Sequence, residues 1–282
     1  MFSQRNKNET NRTFYLQPYL YPGIIVYMGI AAKLRHKKIL EELNSKGRVQ
    51  VAHTARNLGV TEVTIRRDLA FLETEGLLSK TYGGAVPVVP EMNVSVRYRQ
   101  TRRTGAKRII GRLAGELIKD GDIIYLEAGS TCYEIIPHLT ERKNLTIIAN
   151  SLYLMRWLGK LTGHKIIIVG GQYRHERMDM VGPGAEMAIS QMGGFKAFTG
   201  ADDITIDAGI SGADIVTVGF AKLVLKKANE VIFVGDHTKF DNPALYKIAD
   251  IDQLDYIVTD KKPSDIWLEV AKRKNIELIY PM

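Results

Sequence analysis

A single cysteine, Cys132, in 282 residues excludes a disulfide framework and any zinc site built from several thiolates. The six histidines, His36, His53, His138, His164, His175 and His237, show no metal-ligand spacing, so no metal site is expected. Neither a P-loop nor a dinucleotide fingerprint occurs, and no cofactor is implied. Long apolar runs are also missing. The run from Tyr19 to Ile30 is about twelve residues, broken by Pro22 and Gly23, where roughly twenty are needed to span a bilayer. Residues 1–30 are therefore read as neither signal peptide nor anchor. They are expected to be an atypical, disordered extension, with a translation start at Met28 as the alternative. No membrane partner is expected, and the chain reads as cytoplasmic.

With only 9 prolines and 8% aromatics, the chain has the composition of a folded protein and not of a low-complexity one. At 45% hydrophobic and 25% charged residues it can bury a sizeable core, and its length suits two folded units. The net charge of +8 is unevenly placed. Residues 1–110 hold 19 Lys and Arg against 8 Asp and Glu, leaving 20 against 23 for the rest. A basic excess confined to one end points to a polyanionic partner for that end alone.

Helical rhythm begins at Arg35, where Ile39, Leu40 and Leu43 make one apolar face and Gly47 supplies a stop. Val51, Ala55 and Leu58 mark a second short helix. Gly59-Val60-Thr61 then forms a corner: glycine permits a positive φ, Val60 plugs the space between helices, and Thr61 caps the next helix through its hydroxyl. A third helix, Glu62 to about Glu75, buries Ile65, Leu69 and Leu72 and turns Thr61, Thr64, Arg66 and Arg67 outward at the end that enters a major groove. Adjacent arginines there suit bidentate bonds to guanine or a grip on phosphate, and Asp68 is a candidate to hold one of them. Two short extended pieces around Tyr82-Gly83 would form a wing, from which Lys80 and Tyr82 reach flanking phosphates.

Thr64-Ile-Arg-Arg-Asp-Leu69, the Leu-Glu-x-x-Gly-Leu-Leu run from Leu72 to Leu78, and Tyr82-Gly-Gly-Ala85 together resemble the N-terminal winged helix-turn-helix of the DeoR family of bacterial transcription regulators. The sequence departs from the commonest family spelling at Thr61, where serine is frequent, and at Lys80-Thr81-Tyr82. Both changes stay within hydrogen-bonding chemistry.

Pro87 and Pro90 stiffen a basic segment running through Arg97-Tyr-Arg-Gln-Thr-Arg-Arg103, which has no strong apolar period and reads as a linker over 88–104. It separates a DNA-binding unit at 31–87 from a second unit at 105–282. That unit opens with a helix from Gly105 to Lys119, with Ile109, Leu113 and Leu117 on one face and Ile110 and Ala114 beside them. From Ile123 short apolar runs alternate with amphipathic segments, which implies a mainly parallel α/β sheet covered on both faces.

Such sheets bind ligands beyond the carboxyl ends of their strands, and four junctions there are polar. Glu127-Ala-Gly-Ser-Thr131 puts Gly129 where a backbone approaches closely and Ser130 and Thr131 at a helix start, where an anion fits. Plain capping is the dull reading of the same residues. Ala149-Asn-Ser151 repeats the theme. In Gly170-Gly-Gln-Tyr-Arg174, Tyr173 or Arg174 could lie over a ligand. Asp236-His-Thr-Lys-Phe240 offers Lys239 to counter a phosphate and the Asp236 carboxylate to accept sugar hydroxyls. Their convergence favours a phosphorylated small polyol or sugar. Cys132 reads as a packing residue.

This half resembles the C-terminal sensor domain of the same family through Asp120-Gly-Asp-Ile, Glu127-Ala-Gly-Ser-Thr131, Asn144-Leu-Thr-Ile-Ile-Ala-Asn-Ser151, Gly170-Gly-Gln-Tyr-Arg174, Val181-Gly-Pro183, Asp236-His-Thr-Lys-Phe240 and Val258-Thr-Asp260. The resemblance implies a sensor domain related in fold to ribose-5-phosphate isomerase, with Ser130, Thr131, Asn150, Ser151 and Lys239 as ligand contacts. It implies a repressor of a carbohydrate-utilisation operon that binds double-stranded operator DNA as a homo-oligomer and answers to a phosphorylated sugar. The competing reading is a sugar-phosphate isomerase fused to a DNA-binding head, with a carboxylate of Gly200-Ala-Asp-Asp203 and a lysine shuttling protons. Kinship of fold does not transfer activity, and no catalytic residue is assigned.

Overall fold

A computed structural model describes residues 30–75, 77–87 and 96–281. The extension at 1–29, with its Met28 alternative, lies outside the described residues, as does most of the proline-containing stretch.

The N-terminal part runs α1 (Ile30–Lys46), β1 (Val49–Gln50), α2 (Val51–Leu58), α3 (Glu62–Thr74), β2 (Ser79–Thr81) and β3 (Gly84–Val86). Ile39 and Leu43 of α1, Val51 and Ala55 of α2, and Ile65, Leu69 and Leu72 of α3 form one buried cluster, with Leu58 and Val60 against it. The corner forms as the residues dictate. Gly59 takes φ 64°, a left-handed conformation that strains any residue with a Cβ, and the Thr61 side chain accepts from the Thr64 amide at 3.2 Å. β1, β3 and β2 pair antiparallel in that order, so the strand before α2 carries the wing.

The remainder runs α4 (Val96–Thr101), α5 (Thr104–Glu116), β4 (Ile123–Leu126), α6 (Ser130–Tyr133), β5 (Thr146–Ala149), α7 (Leu152–Leu158), β6 (Lys165–Ile168), β7 (Gln172–Arg174), β8 (Asp179–Val181), α8 (Pro183–Ser190) and β9 (Phe195–Thr199). It continues with β10 (Asp203–Thr205), β11 (Gly209–Gly212), α9 (Ile215–Lys227), β12 (Ala228–Val234), β13 (Tyr246–Ala249), β14 (Tyr256–Val258), α10 (Asp265–Lys274) and β15 (Glu277–Ile279). Seven strands form a parallel sheet in the order β15-β14-β12-β9-β4-β5-β6. Alternation along β4 sends Ile124 and Leu126 to a cluster with α5, α6 and α7, and Tyr125 to a cluster with α8, α9 and α10. Both faces of the sheet are covered, as the near-continuous apolar runs require.

Three features depart from the sequence reading. The basic segment expected to be a linker carries α4, because its backbone and side chains are engaged by the body: the Val96 amide donates to the Glu176 carbonyl at 3.1 Å and the Tyr153 hydroxyl donates to Gln100. In α5 the buried face is centred on Ile110, Gly111 and Ala114, and Ile109 is exposed. Gly111 and Gly115 set that rotation, packed against Glu134 and His138. A Cβ on Gly111 would stand 2.2 Å from the Glu134 carbonyl oxygen, so only glycine lets α5 press this closely on the segment after α6. Finally, an antiparallel sheet β10-β11-β13 and a hairpin β7-β8 decorate the parallel sheet. Their strands are three or four residues long, too short to show a period of two.

Candidate functional site

The chain leaves β4 to lay down β5 and β6 on one side, then returns to place β9 on the other, so β4 and β9 are the neighbours at which the sheet order reverses. Two connections depart in opposite directions there and open a crevice. A cavity of about 170 Å³ occupies it. That is room for on the order of ten waters or one small metabolite.

Glu127, just after β4, forms part of its lining. The carboxylate accepts from Thr199 Oγ1 at 2.9 Å and from the Gly200 amide, both at the end of β9. Burial pushes its pKa up to about 7, against the pull of those two hydrogen bonds and the charge of Arg99. Gly129, Ser130, Thr131, Asn150, Asp236 and Lys239 line the same space. Ser151 does not reach it: its hydroxyl donates to the Met178 carbonyl at 3.2 Å and caps α7. The Asn150 amide is used within the protein, accepting from Tyr125 and donating to the Met180 carbonyl. Lys239 Nζ donates to the Asp202 carbonyl at 2.8 Å. Asp236 is held below the usual carboxylate range: burial opposes this, but hydrogen bonds from Thr238 and the charges of Arg103 and Lys239 prevail. Cys132 is fully buried, its thiol pushed up by burial, and it packs with Ile135 and Leu126.

The sequence placed an anion at the start of α6, but that helix is only four residues long and its dipole is correspondingly small. The positive charge comes instead from side chains. Arg99, Arg102, Arg103, Lys107, Arg177 and Lys239 all line the cavity, facing Glu127, Asp179, Asp202, Asp214 and Asp236. Sequence reasoning missed the first four and Arg177. The signal available was the density of arginine over 97–103 without an apolar face. Lys107 is buried and points at the connector, its ammonium donating to the carbonyls of Arg99 and, at 2.8 Å, Arg102. Burial brings it down to about 7, with Asp236 opposing.

Arg174 and Tyr173 do not lie over the cavity. Arg174 grips Asp179 through Nε at 2.9 Å and Nη2 at 2.6 Å, and also binds Asp214 and Thr217. This fork is a strut behind the wall. Asp214 falls to about 2: burial raises it, but Thr217, Arg174 and Arg177 outweigh that effect.

On the N-terminal part, Thr61 and Thr64 share a 2.9 Å hydroxyl contact at the start of α3. Arg66 and Arg67 are exposed on the next turn, with Arg66 paired to Glu62 at 2.6 Å. Lys80 is tied to Glu73 through its amide at 2.8 Å and its ammonium at 3.4 Å, which docks the wing on α3. Tyr82 is fully exposed at the wing tip. Asp68 holds neither Arg66 nor Arg67; it is buried beneath them, accepting from Arg35 and His36 of α1. The α3 rotation that buries Leu69 and Leu72 turns Asp68 inward with them.

Among the described residues no helix is long and apolar enough to cross a membrane, and no group of acidic, His or Cys side chains is arranged to hold a metal.

Comparison with known proteins matches residues 35–90 to the DeoR-like helix-turn-helix domain and residues 102–261 to the DeoR C terminal sensor domain. The transcriptional repressor AccR of Agrobacterium fabrum is 34% identical over 80% of this chain and 88% of its own. The HTH-type transcriptional repressor GlcR of Bacillus subtilis is 30% identical over 86% of this chain and 93% of its own. The glycerol-3-phosphate regulon repressor of Escherichia coli is 27% identical over 86% and 97%. Among solved structures, ribose 5 phosphate isomerase A from Neisseria gonorrhoeae is similar at 15% identity and a TM-score of 0.36, over 54% of this chain and 56% of that one.

Proposed function

Since the chain belongs to the DeoR family of transcriptional regulators, we propose that it represses a carbohydrate-utilisation operon and is released or retuned by a phosphorylated sugar held in the cavity between β4 and β9. The observation that carries this reading is the gathering of six cationic side chains around a small cavity at the sheet's reversal point, on a chain whose other end is a basic winged helix. A phosphate ester supplies the missing negative charge, while Asp236 and Glu127 are placed to accept from sugar hydroxyls.

In this reading Arg66, Arg67, Thr61 and Thr64 meet the major groove, and Lys80 and Tyr82 grip the flanking backbone. One short recognition helix reads few base pairs, so the working regulator is a homo-oligomer whose paired heads set half-site spacing. It acts in the cytoplasm, where operator DNA is reached. The ligand must bind two interdomain or quaternary states unequally, because otherwise it changes nothing at the operator.

A mobility-shift titration on DNA upstream of the neighbouring operon, with phosphorylated and unphosphorylated sugars added, tests both halves. Specific binding that shifts with one phosphosugar is expected. No preference for promoter over random duplex overturns the reading. The isomerase alternative rests on Asp203, which burial raises to about 6 against the charge of Lys239. No turnover of pentose phosphates is expected; isomerisation that disappears in Asp203→Asn would establish the enzyme instead.

A further inference from the structure

The strongest unexplained feature of the cavity is a guanidinium. Nε and Nη2 of Arg99 are buried and make no hydrogen bond among the described residues, and Nε of Arg177, on the same cavity, makes none either, although it lies 3.3 Å from an Asp214 oxygen. Buried N–H groups of a permanent cation are nearly always satisfied, because leaving them bare carries the full desolvation penalty. The two carboxylates whose charge reaches Arg99 most strongly are both engaged: Asp202 accepts from the Ala213 amide at 2.8 Å, and Glu127 serves Thr199 and Gly200 while burial raises it to about 7. Arg99 and Arg177 also repel one another. One bare fork, with Arg177 and its Asp214 ion pair on the same space, describes a seat for an anion.

Arg99 does not belong to the sensor body by sequence. It lies on α4, between the two matched domains at 35–90 and 102–261. That helix touches both: Lys107 holds the Arg99 carbonyl and, just past the helix, that of Arg102 from the body side, and Asn44 of α1 donates to the Thr101 carbonyl at 3.3 Å from the head side. We propose that Arg99 is a ligand-binding residue that pairs with the phosphate of the effector, so that the segment joining head to body is itself one wall of the occupied site. The inference rests on the sugar-phosphate reading above. An incoming phosphate draws α4 towards the body through Arg99, and the movement reaches α1 through Asn44 and Thr101. Lys107 is the positioning residue that keeps α4 within reach.

The test uses the full chain in phosphate-free buffer, titrated with inorganic phosphate and with a panel of sugar phosphates, and read by thermal unfolding and calorimetry. Wild type, Arg99→Met and Lys239→Met are compared. Arg99→Met is expected to weaken phosphate binding at least about tenfold, the loss of one charge-assisted pair. Without ligand it should melt at or above the wild-type temperature, since a partnerless charge has been removed. Wild-type affinity in Arg99→Met, or a lower melting temperature of that variant without ligand, overturns the inference. A response lost in Lys239→Met but kept in Arg99→Met leaves the sugar-phosphate reading standing and removes Arg99 from it. If no phosphate compound stabilises the wild type, that reading fails and this one falls with it.

Discussion

Glu127 Oε2 accepts a 2.9 Å hydrogen bond from Thr199 Oγ1, tying the end of β4 to the end of β9 at the point where the sheet changes direction. The same carboxyl is raised by burial to about 7. Between its unfolded value near 4.5 and about 7 the native state therefore binds more protons than the unfolded chain, so this group's contribution makes stability fall as pH rises through that window. The full effect is on the order of 3 kcal/mol. Glu127→Gln keeps an acceptor for Thr199 and should flatten the profile between pH 5 and 8, measured by denaturant unfolding. An unchanged slope would place the titration elsewhere.

Asp68 behaves in the opposite sense. Burial raises its pKa, but hydrogen bonds and charge from Arg35 and His36 hold it below its ordinary value. Its contribution is present above the unfolded pKa and is lost as pH falls through the folded one. Asp68→Asn should destabilise the head by roughly 2 kcal/mol at neutral pH, seen as an early melting transition, because the clasp between α1 and α3 loses its charge.

For the groove contacts, Arg67→Ala should weaken operator binding by about 1–3 kcal/mol if the side chain reads a base. Arg66 must first leave Glu62, an exposed pair worth about 0.5 kcal/mol, which is small enough to give up on DNA. Titrations over a range of salt separate a base contact from a phosphate contact, since only the latter lowers the salt slope by about one. Wild-type affinity and slope in both single variants would mean that α3 is not the reading helix.

Tyr82 makes the cleanest separation of folding from binding. Fully exposed at the wing tip, it should be replaceable by Ala with less than about 0.5 kcal/mol change in stability and a measurable loss of DNA affinity. A stability loss larger than its affinity loss would count against a role for the wing.

At Gly111 two effects compete. Alanine favours a helix over glycine by about 1 kcal/mol, but the added Cβ would meet the Glu134 carbonyl oxygen at 2.2 Å. Overpacking of that kind costs about 1–3 kcal/mol or more, so Gly111→Ala should lower the melting temperature despite its better propensity. Stabilisation would show that α5 can slide away from the α6 segment.

The parts legible in the sequence were those with a period or a compulsory residue. The apolar spacing of α1, α2 and α3, the left-handed Gly59 and the Thr61 cap could be read directly, and so could the strands whose runs are buried on both faces. What could not be read depended on distance in the chain. Arg99 and Lys107 look like a solvated basic run until α4 folds back on the body, and Ser151 looks like Ser130 until one caps α7 and the other lines the cavity. Asp68 follows Arg66 and Arg67 in sequence, yet helical rotation hands it to Arg35, 33 residues away. Short-range spacing predicts which face a residue occupies, and only the tertiary arrangement decides what waits on that face.

The order in which the strands are laid down separates the durable from the adaptable in this protein. The crevice opens where the adjoining strands β4 and β9 end, while much of its sides is residues on loops and on α4, α5, α6 and α9. A lineage that changes diet can exchange those side residues one at a time without disturbing the hydrogen-bonded lattice beneath. The face proposed to read DNA, from Thr61 to Arg67, lies on a separate domain earlier in the chain, so each can evolve while the other is held constant.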